Sequence, residues 1–154
     1  MRKVKATDLA LVILRVALGG IMLAHGLQKL GWVPGGHGGI PETVDWMGSM
    51  GMPTWLAYST IVAELAGGSL LIIGFLGKLA ALGIAFSTAA MLYKMHLGKG
   101  FFNPDGIEFP LALFAMAAAL LIAGMGSFSF DGAIASSMDK AIASKKAETP
   151  PPPS

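Results

Sequence analysis

Two apolar runs, residues 9–30 and 54–76, are each about 22 residues long, enough at ~1.5 Å rise per residue to cross a ~30 Å hydrocarbon core. Each run contains an ionisable residue, Arg15 in the first and Glu64 in the second. A charge at that depth is costly, so it needs a partner and is a functional candidate. The sequence therefore predicts helices packed around a polar interior, where these two residues pair or surround a ligand, an ion or water.

The composition supports a membrane protein. Hydrophobic residues make up 54% of the chain and charged residues 13%, against roughly 25% charged in a soluble domain. We therefore expect no separate soluble catalytic domain within the 154 residues. The absence of cysteine excludes disulfides, thiol catalysis and iron–sulfur ligation. A net charge of +2 favours contact with the lipid bilayer over a nucleic-acid surface.

The predicted fold class is all-α, a four-transmembrane-helix bundle. The predicted spans, bounded by turns rich in glycine or proline, are residues 9–30, 54–76, 79–97 and 110–126. Residues 1–8 precede this membrane domain of residues 9–131. The tail, residues 132–154, is predicted to form an amphipathic surface helix over 132–146 and then a disordered, proline-rich end.

Lysine and arginine are distributed unevenly between the two ends of such a bundle. The end that holds both termini carries Arg2, Lys3, Lys5, Lys78, Lys140, Lys145 and Lys146, and the opposite end carries Lys29, Lys94 and Lys99. The positive-inside rule therefore places both termini in the cytoplasm and the loop 31–53 outside. A cleaved signal peptide over residues 1–24 is disfavoured because its apolar run is too long and no small-residue cleavage site follows.

The first predicted helix has a polar face. Arg15, His25 and Lys29 share that face at helical spacing. At ~1.5 Å per residue, Arg15 lies ~10 Å from the cytoplasmic end and Glu64 ~15 Å from the outer end. Because an extended arginine could close the remaining gap, we predict an Arg15–Glu64 ion pair or shared polar network. The alternative is that this pair only fixes helix register.

Further polar residues end the first and third predicted helices at the outer side: His25, Gln28, Lys29, Tyr93 and His96. Such side chains could donate hydrogen bonds to the carbonyl oxygens of a quinone whose tail lies in the lipid. Two facing histidines could instead hold a haem, although one facing pair is a weak signal for it. Lys29 and Lys94 could also serve as interfacial anchors that extend toward the headgroups. No metal site is predicted, since the loop histidine His37 has no second ligand near it in the sequence.

Several motifs carry a family resemblance. They are Leu14-Arg15, Ala24-His25-Gly26-Leu27-Gln28-Lys29-Leu30, Gly51-Met52-Pro53, Ala63-Glu64-Leu65-Ala66-Gly67-Gly68 with Leu71 and Gly74, and Gly124-Met125-Gly126-Ser127-Phe128-Ser129-Phe130-Asp131. Together they resemble the DoxX family of four-helix bacterial inner-membrane proteins over about residues 9–131. Met125 stands where that family commonly has proline, and Phe130 where it has leucine.

The resemblance implies a multi-pass protein of the bacterial inner membrane with a quinone-linked redox or oxidative-stress role. Members of the wider family are associated with thiosulfate:quinone oxidoreduction, quinone detoxification and complexes that link thiol and superoxide defence. We do not expect thiosulfate to be a substrate of this chain, because the related thiosulfate enzyme uses a second subunit. The matching polar positions in this sequence are Arg15, His25, Lys29 and Glu64.

Three functions stay open at this point. The chain could be the quinone-binding membrane subunit of an oxidoreductase, a non-enzymatic scaffold for soluble redox proteins, or a small transporter that uses Glu64 as a proton site. The sequence identifies no electron-carrying centre, so it leaves open whether the chain is an enzyme. It is compatible with a monomer or an oligomer.

Overall fold

The computed structural model describes residues 5–148, and this part of the chain consists of helices joined by turns and loops, without a strand. The helices are α1 Ala6–Lys29, α2 Ile40–Ser49, α3 Thr54–Val62, α4 Gly68–Ile73, α5 Gly77–Met91, α6 Glu108–Ala123 and α7 Phe130–Glu148. Two π-helical segments, Ala63–Gly67 (π1) and Leu92–His96 (π2), continue α3 into α4 and extend α5. The prediction of an all-α fold is confirmed.

Helices lie at each of the four predicted spans, but they differ in length and apolarity. Ala6–Lys29 and Thr54–Ile73 are long and apolar enough to cross a membrane. Glu108–Ala123 is apolar but has only 16 residues. By length and composition, two helices are therefore candidates to span a membrane.

Two regions differ from the sequence-based expectation. The loop 31–53 contains α2, which begins with Pro41 in its first turn and buries Thr43 and Met47 one turn apart. In the tail, the helix predicted over 132–146 is present but continues to Glu148. The final residues, 149–154, lie outside the part of the chain that is described.

Glycine contacts determine how α1 packs against the helix that runs from α3 through π1 to α4. A Cβ on Gly19 would lie 2.7 Å from the Gly68 carbonyl oxygen, and a Cβ on Gly68 would lie 2.8 Å from the Gly19 carbonyl oxygen. Further along, a Cβ on Gly26 would lie 2.7 Å from Leu65 Cγ. The two helices are therefore antiparallel with their backbones in close approach, as small residues permit in lipid.

Two apolar clusters fill the interior. The larger is centred on fully or nearly fully buried side chains of α1, α4, α5 and α6: Leu18, Met22, Leu71, Ile84 and Leu120. The smaller joins α2 and α3 to π2 through Met47, Met52, Leu56, Ala57 and Met95. The second cluster holds α2 against the end of the bundle where α1 finishes, so α2 covers the site described next.

Candidate functional site

A buried ion pair joins the end of α1 to π1. Lys29 Nζ lies 2.7 Å from Glu64 Oε1 and 2.6 Å from Oε2, so the ammonium group donates to both carboxylate oxygens. Their side chains are 11% and 1% exposed. The hydroxyl of Thr43 in α2 donates to the Lys29 carbonyl at 3.4 Å, which places α2 over the pair. Lys29 therefore points into the protein and is not an interfacial anchor.

The predicted pairing of Arg15 with Glu64 is wrong. Arg15 Nη2 instead donates to the Phe128 carbonyl. Arg15 also interacts electrostatically with the carboxylate of Asp131. The glycine contacts explain the difference, because they place Glu64 beside the last turns of α1, about ten residues or roughly 15 Å along the axis from Arg15.

Arg15 belongs to a second polar cluster at the other end of the bundle. Asp131 Oδ1 accepts from the Leu76 backbone N–H at 2.9 Å, and Oδ2 accepts from the Gly77 N–H at 2.8 Å, which caps the start of α5. Arg15 Nε and Nη1 are buried and make no hydrogen bond to any residue from 5 to 148. This cluster therefore ties the segment after α6 to α1 and α5, far from Glu64.

A cavity of about 200 Å³ lies where α1, π1, α5, π2 and α6 meet. It is lined by Met22, His25, Glu64, Thr88, Met91, His96, Asn103, Pro104, Phe109, Pro110 and Leu113. Most of these side chains are apolar, and the polar ones come from four separate parts of the chain. A few convergent polar groups in an apolar pocket are typical of a small-molecule site.

Each of the two cavity histidines forms a hydrogen bond to a backbone carbonyl through its Nδ1 atom. His25 Nδ1 lies 2.9 Å from the Ile21 carbonyl oxygen, and His96 Nδ1 lies 2.8 Å from that of Asp105. Because a carbonyl oxygen only accepts, each Nδ1 carries the hydrogen, and a neutral ring then has a lone pair on Nε2. A neutral ring can therefore accept a hydrogen bond at Nε2 but cannot donate one there, so the predicted donation to a quinone carbonyl requires a protonated ring.

Aromatic contacts and the loop before α6 complete the wall. The His25 ring stacks on Phe109 with centroids 5.9 Å apart. The His96–Asp105 hydrogen bond holds the loop that brings Asn103 and Pro104 over the cavity. The site is thus built partly from a loop whose position the sequence does not specify.

The remaining residues predicted to bind the ligand lie outside this cavity. The Gln28 side-chain amide donates to the Pro34 carbonyl at 3.1 Å. Tyr93 is 65% exposed, and Lys94 Nζ lies 5.8 Å from the centre of its ring. Lys29 reaches the cavity only through Glu64. The structure therefore brings together His25 and His96 and adds Glu64 to them.

Sequence reasoning missed two polar residues of the cavity wall, Thr88, which carried a signal, and Asn103, which did not. Thr88 is a polar residue inside an apolar run, and its hydroxyl donates to the Ile84 carbonyl at 2.7 Å, which leaves the oxygen lone pairs free to accept. Glu64 and His96 both lie in π-helical segments, which frequently mark functional sites, but a π segment has no clear sequence pattern. Asn103 carried no signal, because its place depends on the loop.

Neither a metal nor a haem fits this site. Within residues 5–148, no group of three or more histidine, cysteine, aspartate or glutamate residues is arranged to hold a metal ion. His37, the loop histidine, stacks on Trp46 with ring centroids 4.0 Å apart. A cavity of roughly 150 Å³ holds one benzene ring, so the observed cavity has room for one substituted ring and not for a porphyrin.

Comparison with known proteins supports the resemblance in the motifs. The DoxX family matches residues 10–97, a segment that contains Arg15, His25, Lys29, Glu64 and His96. The protein named "Putative oxidoreductase CatD" from Bacillus subtilis (strain 168) is 27% identical over 116 residues, which cover 75% of this chain and 81% of that protein. No solved structure matches the chain. Because the match covers more than half of this chain, the chain belongs to the membrane-associated DoxX family.

Proposed function

We propose that this chain is a multi-pass protein of the bacterial inner membrane that binds a quinone-like ring as part of a redox or oxidative-stress system. The family membership supports the membrane and redox setting, and a relative carries the name of an oxidoreductase. In this proposal the bundle has four spanning helices and both termini are cytoplasmic. The 16-residue α6 then requires a locally thinner bilayer.

The observation that carries the binding proposal is the cavity with His25, Glu64 and His96 in its wall. At about 200 Å³ it is somewhat larger than the roughly 150 Å³ that accommodates benzene, as a substituted six-membered ring requires. The apolar wall, including Met22 and Leu113, suits the faces of such a ring. The polar side chains of the wall can form hydrogen bonds with the two oxygen-bearing groups of the ring.

The position of the cavity also suits a lipid-soluble ligand. It lies at the end of the bundle where α1 and π2 finish and α6 begins, which is the outer end in the proposed topology. Phe109 lines the cavity and is also 38% exposed, so the wall at this residue is thin. A ring could enter here while its tail stays among the lipids.

A thermal-shift experiment tests the proposal. A short-tailed benzoquinone, in its oxidised and reduced forms, should raise the melting temperature of the purified protein with increasing ligand concentration, because binding to the native state stabilises it. His25→Ala should abolish the shift. His37→Ala is the matched control, since His37 contacts Trp46 away from the cavity, and it should retain the shift.

The scaffold function is the second candidate, and α7 favours it. Ile134, Met138 and Ile142 follow each other at four-residue spacing and are 48%, 59% and 64% exposed. An exposed apolar stripe of this kind can contact a partner or the lipid surface. If neither redox form of any quinone shifts the melting temperature, the binding proposal is rejected in favour of a scaffold.

A further inference from the structure

We infer that the cavity distinguishes the two redox states of its ligand and binds the reduced form, a quinol, more tightly than the quinone. This inference rests on the proposed function, because it concerns the same cavity and the same class of ring. A quinol has two hydroxyl groups that donate hydrogen bonds, whereas a quinone has two carbonyl oxygens that only accept. The hydrogen-bonding groups of the wall therefore decide between them.

The histidines favour a donor ligand. In each neutral ring the single N–H is already used by a backbone carbonyl, that of Ile21 for His25 and that of Asp105 for His96. Each Nε2 then offers a lone pair, and in the described part of the chain no hydrogen bond to it is formed. A quinol hydroxyl can donate a hydrogen bond to these nitrogens. A quinone carbonyl oxygen cannot, and its lone pairs are repelled by those of the nitrogens.

The other polar groups of the wall reinforce this preference. The carboxylate of Glu64 only accepts, and Lys29 already donates to both of its oxygens. Thr88 uses its hydroxyl hydrogen on the Ile84 carbonyl and presents lone pairs. The side-chain amide of Asn103 can donate or accept, so it suits either redox state. Acceptors therefore outnumber donors in the lining.

The expected selectivity follows from ordinary hydrogen-bond energies. The quinol gains at least one hydrogen bond that the quinone cannot form, and the quinone leaves an acceptor facing an acceptor. We expect the dissociation constant of the quinol to be lower by at least about tenfold.

Three probes of one ring shape test the inference: 2,3-dimethoxy-5-methyl-1,4-benzoquinone, the corresponding hydroquinone and its 1,4-dimethyl ether. Dissociation constants are measured anaerobically at pH 8, where an ordinary imidazole is neutral, by calorimetry on the full chain in lipid nanodiscs. The hydroquinone should bind at least tenfold more tightly than the quinone. The dimethyl ether keeps the ring and both oxygens but has no donor, so it should bind no better than the quinone.

Two substitutions test whether the histidines cause the preference for the reduced ligand. His25→Gln and His96→Gln each introduce an amide that can turn an N–H toward the ligand, so the preference should fall at least threefold while the quinone still binds. Tyr93→Phe is the control, because Tyr93 lies outside the cavity and is 65% exposed. It should leave the ratio of the two constants unchanged.

The outcomes separate this inference from the proposed function. Binding of all three probes with similar constants, or tighter binding of the quinone, would overturn the redox preference and leave quinone binding intact. An unchanged preference in both glutamine variants would overturn the role of the histidines and with it the inference. Binding of none of the probes would reject the proposed function itself.

Discussion

Lys29 and Glu64, 35 residues apart in sequence, form a two-pronged ion pair in which Lys29 Nζ lies 2.7 Å and 2.6 Å from the two carboxylate oxygens. The pair joins the last residue of α1 to the π-helical segment in the second long helix. Its carboxylate also forms part of the cavity wall. The same contact thus connects helix packing to the shape and charge of the candidate binding site.

The first prediction concerns the energy of this pair. Lys29→Met or Glu64→Leu alone should lower the free energy of unfolding by about 3 to 5 kcal/mol, because each leaves a buried charge without its partner. The double variant should recover much of that loss. Titration with sodium dodecyl sulfate in micelles measures the four free energies of this cycle.

A second cycle, Arg15→Met with Glu64→Leu, is the matched control. Since Arg15 and Glu64 lie roughly 15 Å apart along the bundle axis and share no partner among residues 5–148, their effects should add within about 0.5 kcal/mol. Additive losses for Lys29 and Glu64, or strong coupling between Arg15 and Glu64, would contradict the observed pairing.

The second prediction concerns Arg15, whose guanidinium donates to the Phe128 carbonyl. Arg15→Met should release the segment that follows α6 and cost about 1 to 3 kcal/mol, because the partly buried Phe128 carbonyl loses its charged donor. Hydrogen exchange measured by mass spectrometry should rise in peptides that cover residues 124–131. It should stay unchanged in π1, and quinol binding should be retained. Loss of binding with unchanged exchange in 124–131 would instead assign Arg15 to the cavity.

The third prediction concerns the close approach of α1 and the helix opposite. Gly68→Ala should destabilise the protein by about 1 to 3 kcal/mol, because the added methyl would lie 2.8 Å from both the Gly19 carbonyl oxygen and the Leu23 backbone nitrogen. Gly20→Ala is the matched control, since a Cβ there meets nothing within 4 Å. That change should be neutral or stabilise the helix by up to about 1 kcal/mol. Equal effects of the two substitutions, measured by thermal unfolding, would argue against glycine-mediated packing.

The fourth prediction concerns topology. A reporter fused after Ser154 should be cytoplasmic, and a reporter inserted at Gly36 should be periplasmic, because lysine and arginine concentrate at the end of the bundle that holds both termini. Alkaline phosphatase and green fluorescent protein report the two sides in opposite senses. A periplasmic C-terminus would require an odd number of spans or the reverse orientation.

The apolar periodicity of the sequence was sufficient to predict an all-helical fold and helices at all four proposed spans. It was also sufficient to identify His25, His96 and Glu64 as polar residues of interest. A long apolar run leaves little choice but a helix, and an ionisable residue within it is conspicuous. Such local patterns need no knowledge of neighbouring helices.

The tertiary structure decided which polar residues meet. Lys29 pairs with Glu64, and Arg15 with the segment after α6, because of the register between the helices. The 24-residue connection between α1 and α3 does not determine that register. The close glycine contacts do. Likewise, the hydrogen bond that makes His96 an acceptor depends on where the loop before α6 places the Asp105 carbonyl. Spacing along one helix specifies a face, but contact between helices depends on packing in three dimensions.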